Sequence, residues 1–174
     1  MKAYTHIVHP FGPLYDAEST VLILGSLPSV KSREQNFFYG HPQNRFWPLL
    51  AALFGEAAPA TVEEKRALAL RHHVALWDTI YACDIVGSSD SSIRSVVPTD
   101  LRPILSGSKV TRIFCNGATS GRYFHQYQAK TLGMEAAVLP STSPANAAWT
   151  MPRLLEAWKV ILLRKREAAG FPFS

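Results

Sequence analysis

Val21-Leu22-Ile23-Leu24-Gly25-Ser26-Leu27-Pro28-Ser29 is the stretch that decides the fold. Four apolar residues in a row are too few for a helix and too continuous for a strand with one wet face. They read as a strand buried on both faces, the pattern of a parallel sheet. Gly25, Ser26, Pro28 and Ser29 then form a small-residue mouth at its carboxyl end, where open parallel sheets bind ligands. Downstream, Phe37-Phe38-Tyr39-Gly40-His41-Pro42-Gln43-Asn44-Arg45-Phe46-Trp47 crowds aromatic rings around a His and an Asn. Strand, small-residue loop and aromatic-polar loop together suggest a pocket for a flat, hydrogen-bonding ligand.

Three more apolar runs, at 74–80, 110–115 and 136–139, read as strands, and each empties into a loop of Ser, Gly, Asn or Pro. Helices fall between them. Phe46, Trp47, Leu50, Leu53 and Phe54 recur at helical spacing after Asn44, Pro48 is tolerable in a first turn, and Gly55 is a natural stop. Thr61-Val62-Glu63-Glu64 reads as a capping box opening a helix to about residue 72. His72 and His73 then fall near a helix C-terminus, where a cation is favoured, and need no catalytic role. Thr99 is the expected cap of a short helix over 100–105. Residues 117–124 turn helical, and 152–165 carry an apolar stripe of Leu154, Leu155, Trp158, Ile161 and Leu162. Residues 1–20 read as irregular, with His6 and His9 as loop or surface histidines. The polar run Gly87-Ser88-Ser89-Asp90-Ser91-Ser92 is either a surface linker or a substrate-contacting loop. The alternation predicts one α/β domain over 1–174: a three-layer α/β/α arrangement with a central four-stranded, mainly parallel sheet. Its four carboxyl-end loops share one edge, which is the candidate active site.

Composition sets the bounds. The chain has 174 residues, 47% apolar and 18% charged, as a globular domain does, with a net charge of +5 that permits a polyanionic partner without requiring one. Cys83 and Cys115 are the only cysteines and each ends an apolar run, which suits reduced, packed thiols; a four-cysteine cluster is excluded. No leader pattern or membrane-length apolar run is present, so a cytoplasmic protein without membrane attachment is expected.

Several chemistries lack their motifs. There is no phosphate loop, no Gly-x-Gly-x-x-Gly fingerprint, no Gly-x-Ser-x-Gly elbow and no His-x-x-x-His or Cys-x-x-Cys pair. What remains is an edge of amides, hydroxyls and aromatic faces, equipment suited to a base lifted out of a nucleic-acid helix.

Gly25-Ser26-Leu27-Pro28-Ser29, the run from Tyr39 to Trp47, and Ser141-Thr142-Ser143-Pro144-Ala145-Asn146, in that order, resemble the uracil-DNA glycosylase superfamily. They look closest to its hypoxanthine-DNA (deoxyinosine) branch, and the Trp77-Asp78 strand, the 87–93 loop and Phe114-Cys115-Asn116-Gly117 share that likeness. The resemblance runs from about residue 4 to 163. It implies a monofunctional DNA glycosylase that flips and hydrolytically excises a deaminated base: hypoxanthine, with uracil or xanthine as further substrates. No cofactor or metal is implied; the partner is double- or single-stranded DNA carrying a damaged base, and a monomer is expected. Leu27 stands where many members carry a water-activating Asp or Asn, and Ser141 where many carry His. By the resemblance, water is instead positioned by Asn44.

Asn44 is a poor proton acceptor, so its implied task is to orient water with its carbonyl oxygen; its alternative is to cap the helix near Phe46, worth about 1 kcal/mol. Tyr39 would stack on the flipped base or else pack in the core. Asn116 would read the base edge or else cap its own turn. Backbone amides around Ser26 and Leu27, next to Gly25, would meet the leaving base's oxygen. On the DNA side stand Pro28, Ser29, Ser141, Ser143, Pro144, Ala145 and Asn146: Ser143 for a phosphate, Ala145 and Asn146 where the superfamily fills the vacated stack. Arg45, Arg94 and Arg122 are candidate phosphate contacts. With no Lys assigned to the pocket, the expected product is an abasic site. The rival readings are a mismatch-specific uracil/thymine glycosylase, a lesion-binding relative without activity, and a small-molecule nucleoside hydrolase.

Overall fold

A computed structural model describes residues 3–163. In chain order these form β1 (Thr5–Val8), β2 (Val21–Gly25), α1 (Val30–Gln35), α2 (Phe46–Leu53), α3 (Val62–Arg71), β3 (Val74–Asp78), β4 (Ile80–Ile85), β5 (Arg94–Pro98), α4 (Arg102–Ser106), β6 (Arg112–Asn116), α5 (Ala118–Tyr123), α6 (Ala129–Leu132), β7 (Ala136–Leu139) and α7 (Met151–Trp158). Four strands pair in parallel in the order β3-β2-β6-β7. Leu22, Ile23 and Leu24 point alternately to the two faces, and all three are fully buried. Both faces of the central strand are therefore covered, which is what its unbroken apolar run requires. The register sets Gly25 beside Asp78 and Asn116 beside Leu139, so the strand ends are level along one edge.

The single strand expected over 74–80 divides at Thr79. β3 stays in the parallel sheet, while β4 enters a second, antiparallel sheet of order β1-β4-β5. The Thr79 and Ile80 amides donate to the Gly25 and Ser26 carbonyls at 2.9 Å each, so the chain changes sheets while still bonded to the mouth of β2. Strand propensity is the same for either sheet, so local composition does not mark the change of partner. β1 occupies the segment expected to be irregular. It forms by pairing with β4, from Thr5 opposite Ile85 to Val8 opposite Ala82, and is too exposed to leave an apolar signature.

The helices follow their caps. α3 carries the expected Thr61–Glu64 capping box, both bonds 3.1 Å, and Gly55 closes α2 with φ at +68°. α1 was not expected: only Ser32 of its residues is buried, so it has no apolar periodicity, and its signal is the Ser29 hydroxyl accepting from the Ser32 amide at 3.2 Å. Thr99 is not the cap of α4. Its hydroxyl is buried and donates to the Asp78 carbonyl at 2.6 Å, while Asp100 Oδ1 accepts from the Arg102 amide. The helix after Gly117 continues past Phe124 through a π turn over Phe124–Gln128 into α6, and the buried Gln128 amide donates to the Thr79 carbonyl at 2.9 Å. α7 ends at Trp158 and tightens into a 3₁₀ turn over Lys159–Leu162; the remainder of the expected 152–165 helix beyond residue 163 lies outside the described residues. Cys83 and Cys115 are buried and unpaired, as expected. Among the described residues no helix is long and apolar enough to cross a membrane.

Candidate active site

The carboxyl ends of β2, β3 and β6 and the loop after β7 open into one cleft. Gly25 to Ser29 form one wall, and Ser141 to Ser143 another. Phe38, Tyr39 and Asn44 reach it from the aromatic loop, Asp78 and Asn116 from strand ends. Ser88 and Asp90 line the cleft too, so the polar 87–92 run is part of its rim rather than a remote linker.

A chain of hydrogen bonds crosses this cleft. Asn116 Nδ2 donates to Thr142 Oγ1 at 3.0 Å, and Thr142 Oγ1 donates to Asn44 Oδ1 at 2.8 Å. The Thr142 amide returns to Asn116 Oδ1 at 3.0 Å. Asn44 Oδ1 also accepts from the Phe46 amide at 2.9 Å. Two donors therefore occupy the two lone pairs of that oxygen. The expectation that this oxygen holds water is corrected: the Phe46 N–H and the Thr142 hydroxyl take it, and Nδ2 is the amide atom without a partner among the described residues. Asn44 does support the start of α2, though from one residue before the cap Arg45. Asn116 is likewise bound to Thr142 on both sides of its amide, so it joins β6 to the loop after β7 as well as lining the cleft.

Tyr39 enters from a strained turn. Its φ is +53°, a conformation that costs a side-chain-bearing residue about 1–3 kcal/mol. The next residue anchors it, with the Gly40 amide donating to the buried Ser32 hydroxyl at 2.8 Å. Phe46 already stacks on one face of the Tyr39 ring, centroids 4.1 Å apart. The hydroxyl is buried with no partner at hydrogen-bond geometry among the described residues. Burial first, and the charge of Asp78 second, push its pKa well above the phenol range, with the Asn116 amide pulling the other way. It is a neutral donor at any working pH.

Asp78 carries no role in the sequence reading; His9, expected in a loop or at the surface, does lie in the loop after β1 but is buried. His9 is 6% exposed and Asp78 4%, and His9 Nε2 lies 2.7 Å from Asp78 Oδ2. His9 is held between Trp77, centroids 4.3 Å apart, and the edge of Phe11 at 4.6 Å. Its acidic partner is remote in sequence, which is why spacing missed the pair. The signal available was Asp78 itself, a carboxylate inside an otherwise apolar strand, where a buried charge needs a partner. Gly25 makes room for it: a β-carbon at Gly25 would lie 2.4 Å from Asp78 Oδ1.

The loop after β7 is braced by Arg45. Its guanidinium donates to the carbonyls of Ser143 at 2.9 Å, Asn146 at 3.0 Å, and Trp149. That corrects its expected place among phosphate contacts, since a guanidinium directed at three backbone oxygens is committed to the loop. Asn146 Nδ2 donates to the Ser141 carbonyl at 3.0 Å, while Ala145 is exposed at the loop's turn. Ser143 Oγ accepts from the Ala145 amide at 3.1 Å and keeps its own proton to donate. Arg94 and Arg122 lie over the rings of Tyr4 and Tyr123.

Residues 13–162 match the family model of the uracil DNA glycosylase superfamily. A curated hypoxanthine DNA glycosylase of Methanosarcina acetivorans is 34% identical over 153 residues, covering 87% of this chain and 95% of its own. One of the same description from Methanosarcina barkeri is 34% identical over 143 residues, covering 78% of this chain and 86% of its own. A solution NMR structure from Methanosarcina acetivorans, solved as a candidate uracil DNA glycosylase, superposes with a TM-score of 0.74 at 33% identity, covering 87% of this chain and 93% of that one. Family model and relatives agree: this chain belongs to the uracil DNA glycosylase superfamily and is a DNA glycosylase.

Proposed function

We propose that the protein excises hypoxanthine from DNA hydrolytically, leaving an abasic site, and acts as a monomer without a cofactor on double- or single-stranded substrate. The observation that carries this reading is Asn44, a residue of the cleft lining with its oxygen bound by Thr142 and Phe46 and its amide nitrogen without a partner among the described residues. Two relatives described as hypoxanthine DNA glycosylases support the same base.

Cleavage passes through an oxocarbenium-like sugar, so water must wait beside C1′ while the base departs. Asn44 Nδ2 donates to one lone pair of that water and leaves another directed at carbon. It positions the water and takes no proton from it; as the C1′–O bond forms, the water's proton passes through solvent to the base, which has left as an anion. Positioning of this kind supplies several kcal/mol. The Ser26 and Leu27 amides meet charge on the leaving base, Tyr39 and Asn116 border it, and Ser143 holds a phosphate. Pro28, Ser29, Ser141 and the 144–146 turn face the DNA.

The test is incubation with duplexes carrying inosine, uracil, xanthine or a G·T mismatch, followed by alkaline scission of abasic sites. Asn44→Ala is expected to lower inosine excision at least about 100-fold, or ~2.7 kcal/mol. Scission confined to uracil and G·T indicates a mismatch-specific enzyme instead, and tight binding without scission an inactive lesion binder. A borohydride-trapped protein–DNA adduct argues against the monofunctional step.

A further inference from the structure

The mechanism above leaves a buried His–Asp pair unused at the bottom of the cleft. Asp78 has one oxygen bound by His9 and the other, Oδ1, without a partner among the described residues and directed at the cleft lining. Tyr39 Oη is unpartnered beside it: the point where a Gly25 β-carbon would stand is 2.4 Å from Asp78 Oδ1 and 3.3 Å from Tyr39 Oη. A carboxylate, which only accepts, and a phenol, buried but able to donate, thus both crowd the bare Cα of Gly25 at the carboxyl end of β2.

We propose that Asp78 and Tyr39 read the lactam edge of the flipped base, the ring N–H donating to Asp78 Oδ1 and the neighbouring carbonyl accepting from Tyr39 Oη, with His9 as the positioning residue that fixes the carboxylate. This rests on the glycosylase reading and names what the site selects. Deamination creates the edge in question. Adenine and cytosine present a bare ring nitrogen beside an amino group; hypoxanthine and uracil present a ring N–H beside a carbonyl.

The discrimination belongs to Asp78 rather than Tyr39. A hydroxyl rotates and serves as donor or acceptor, so it tolerates an amino group. A carboxylate has no proton to offer a bare ring nitrogen, and two acceptors then face each other in a buried site. Mismatches of this kind separate substrates by up to about 10⁴–10⁵. Guanine and thymine carry a lactam edge too, so their exclusion falls to shape elsewhere in the cleft. His9 matters because a carboxylate is free to turn either oxygen toward the cleft. Nε2–H holds Oδ2, and the flanking Trp77 and Phe11 rings hold the imidazole. His9 Nδ1 is buried without a partner among the described residues, so the hydrogen-bond network assigns the N–H facing Asp78 to Nε2.

The test measures kcat/KM for inosine, 1-methylinosine and adenine in otherwise identical duplexes. The wild-type protein is expected to lose at least tenfold on 1-methylinosine, where a methyl group replaces the N–H. Asp78→Asn, whose amide turns to offer a donor to a bare ring nitrogen, is expected to lower inosine excision at least tenfold and the inosine-to-adenine ratio at least tenfold. His9→Phe is expected to lower inosine excision about tenfold with affinity for undamaged duplex unchanged, and His9→Gln, which keeps an N–H, to recover most of it. Wild-type excision of 1-methylinosine within threefold of inosine overturns the proposal even where Asp78→Asn does not fold. A folded Asp78→Asn with an unchanged ratio also overturns it, and equal rates for His9→Phe and wild type remove the role of His9. If the wild-type protein releases none of inosine, uracil and xanthine, the glycosylase reading fails and takes this one with it; activity on inosine with any overturning result sinks this one alone.

Discussion

The Thr142 hydroxyl donates to Asn44 Oδ1 at 2.8 Å while accepting from Asn116 Nδ2 at 3.0 Å. One buried Thr thus sets the rotamers of two amides, one from the aromatic loop and one from the end of β6. Thr142→Val keeps the shape and removes the link: Asn116 Nδ2 loses its acceptor and Asn44 Oδ1 keeps only the Phe46 amide, at a cost of about 1 kcal/mol. Inosine excision in single-turnover assays is expected to fall about tenfold, and the Tm with it. In the Asn44→Ala background the same change should have little further effect on excision, because both act through one group. Independent, multiplicative losses contradict the coupling.

Arg45 donates to three carbonyls of the loop after β7. Arg45→Met should loosen that loop and weaken duplex binding several-fold. Because the guanidinium is turned to the protein, the slope of log K against log salt should stay as in wild type. A slope shallower by about 0.9 is what loss of a phosphate contact gives on duplex DNA, and that result would return Arg45 to the phosphate contacts.

Burial pushes the Cys115 thiol up to about 11, with the Ser120 hydroxyl pulling slightly the other way. The nucleophile is the thiolate, so Cys115 is inert at neutral pH. An aromatic disulfide reagent at pH 8 should leave it unlabelled in the native protein and label it fully in denaturant. Prompt native labelling contradicts the packing.

Glu56 is held at about 2 by hydrogen bonds from Arg71 first and His72 second, at the C-terminus of α3. Its folded pKa lies below its ordinary value near 4.5, so the unfolded chain binds its proton first on acidification. The stabilisation is fully present above about pH 4.5 and is lost as pH falls toward 2. Urea melts of wild type and Glu56→Gln should differ at pH 6 and converge by pH 2. A gap that persists there points to a cause other than this ionisation.

Much of this was legible before the structure. The strand at Val21–Leu24, the α2 pattern, the Thr61–Glu64 box and the shared edge of the strand-end loops follow from local rules of burial, capping and periodicity. Those rules act within a few residues, so the sequence carries them in full. Asn44 was legible for a different reason, through the motif that surrounds it.

What the sequence by itself determined is the parallel core and the edge on which chemistry is done. The tertiary structure alone decided which atoms are free there. Val74 to Ile80 reads as one strand, and only pairing reveals that the chain changes sheets at Thr79. Likewise His9 meets Asp78 across 69 residues, and Thr142 meets Asn44 across 98. A hydrogen bond closes over about 3 Å whatever the sequence separation, so which lone pair is taken and which is left for substrate is settled by packing.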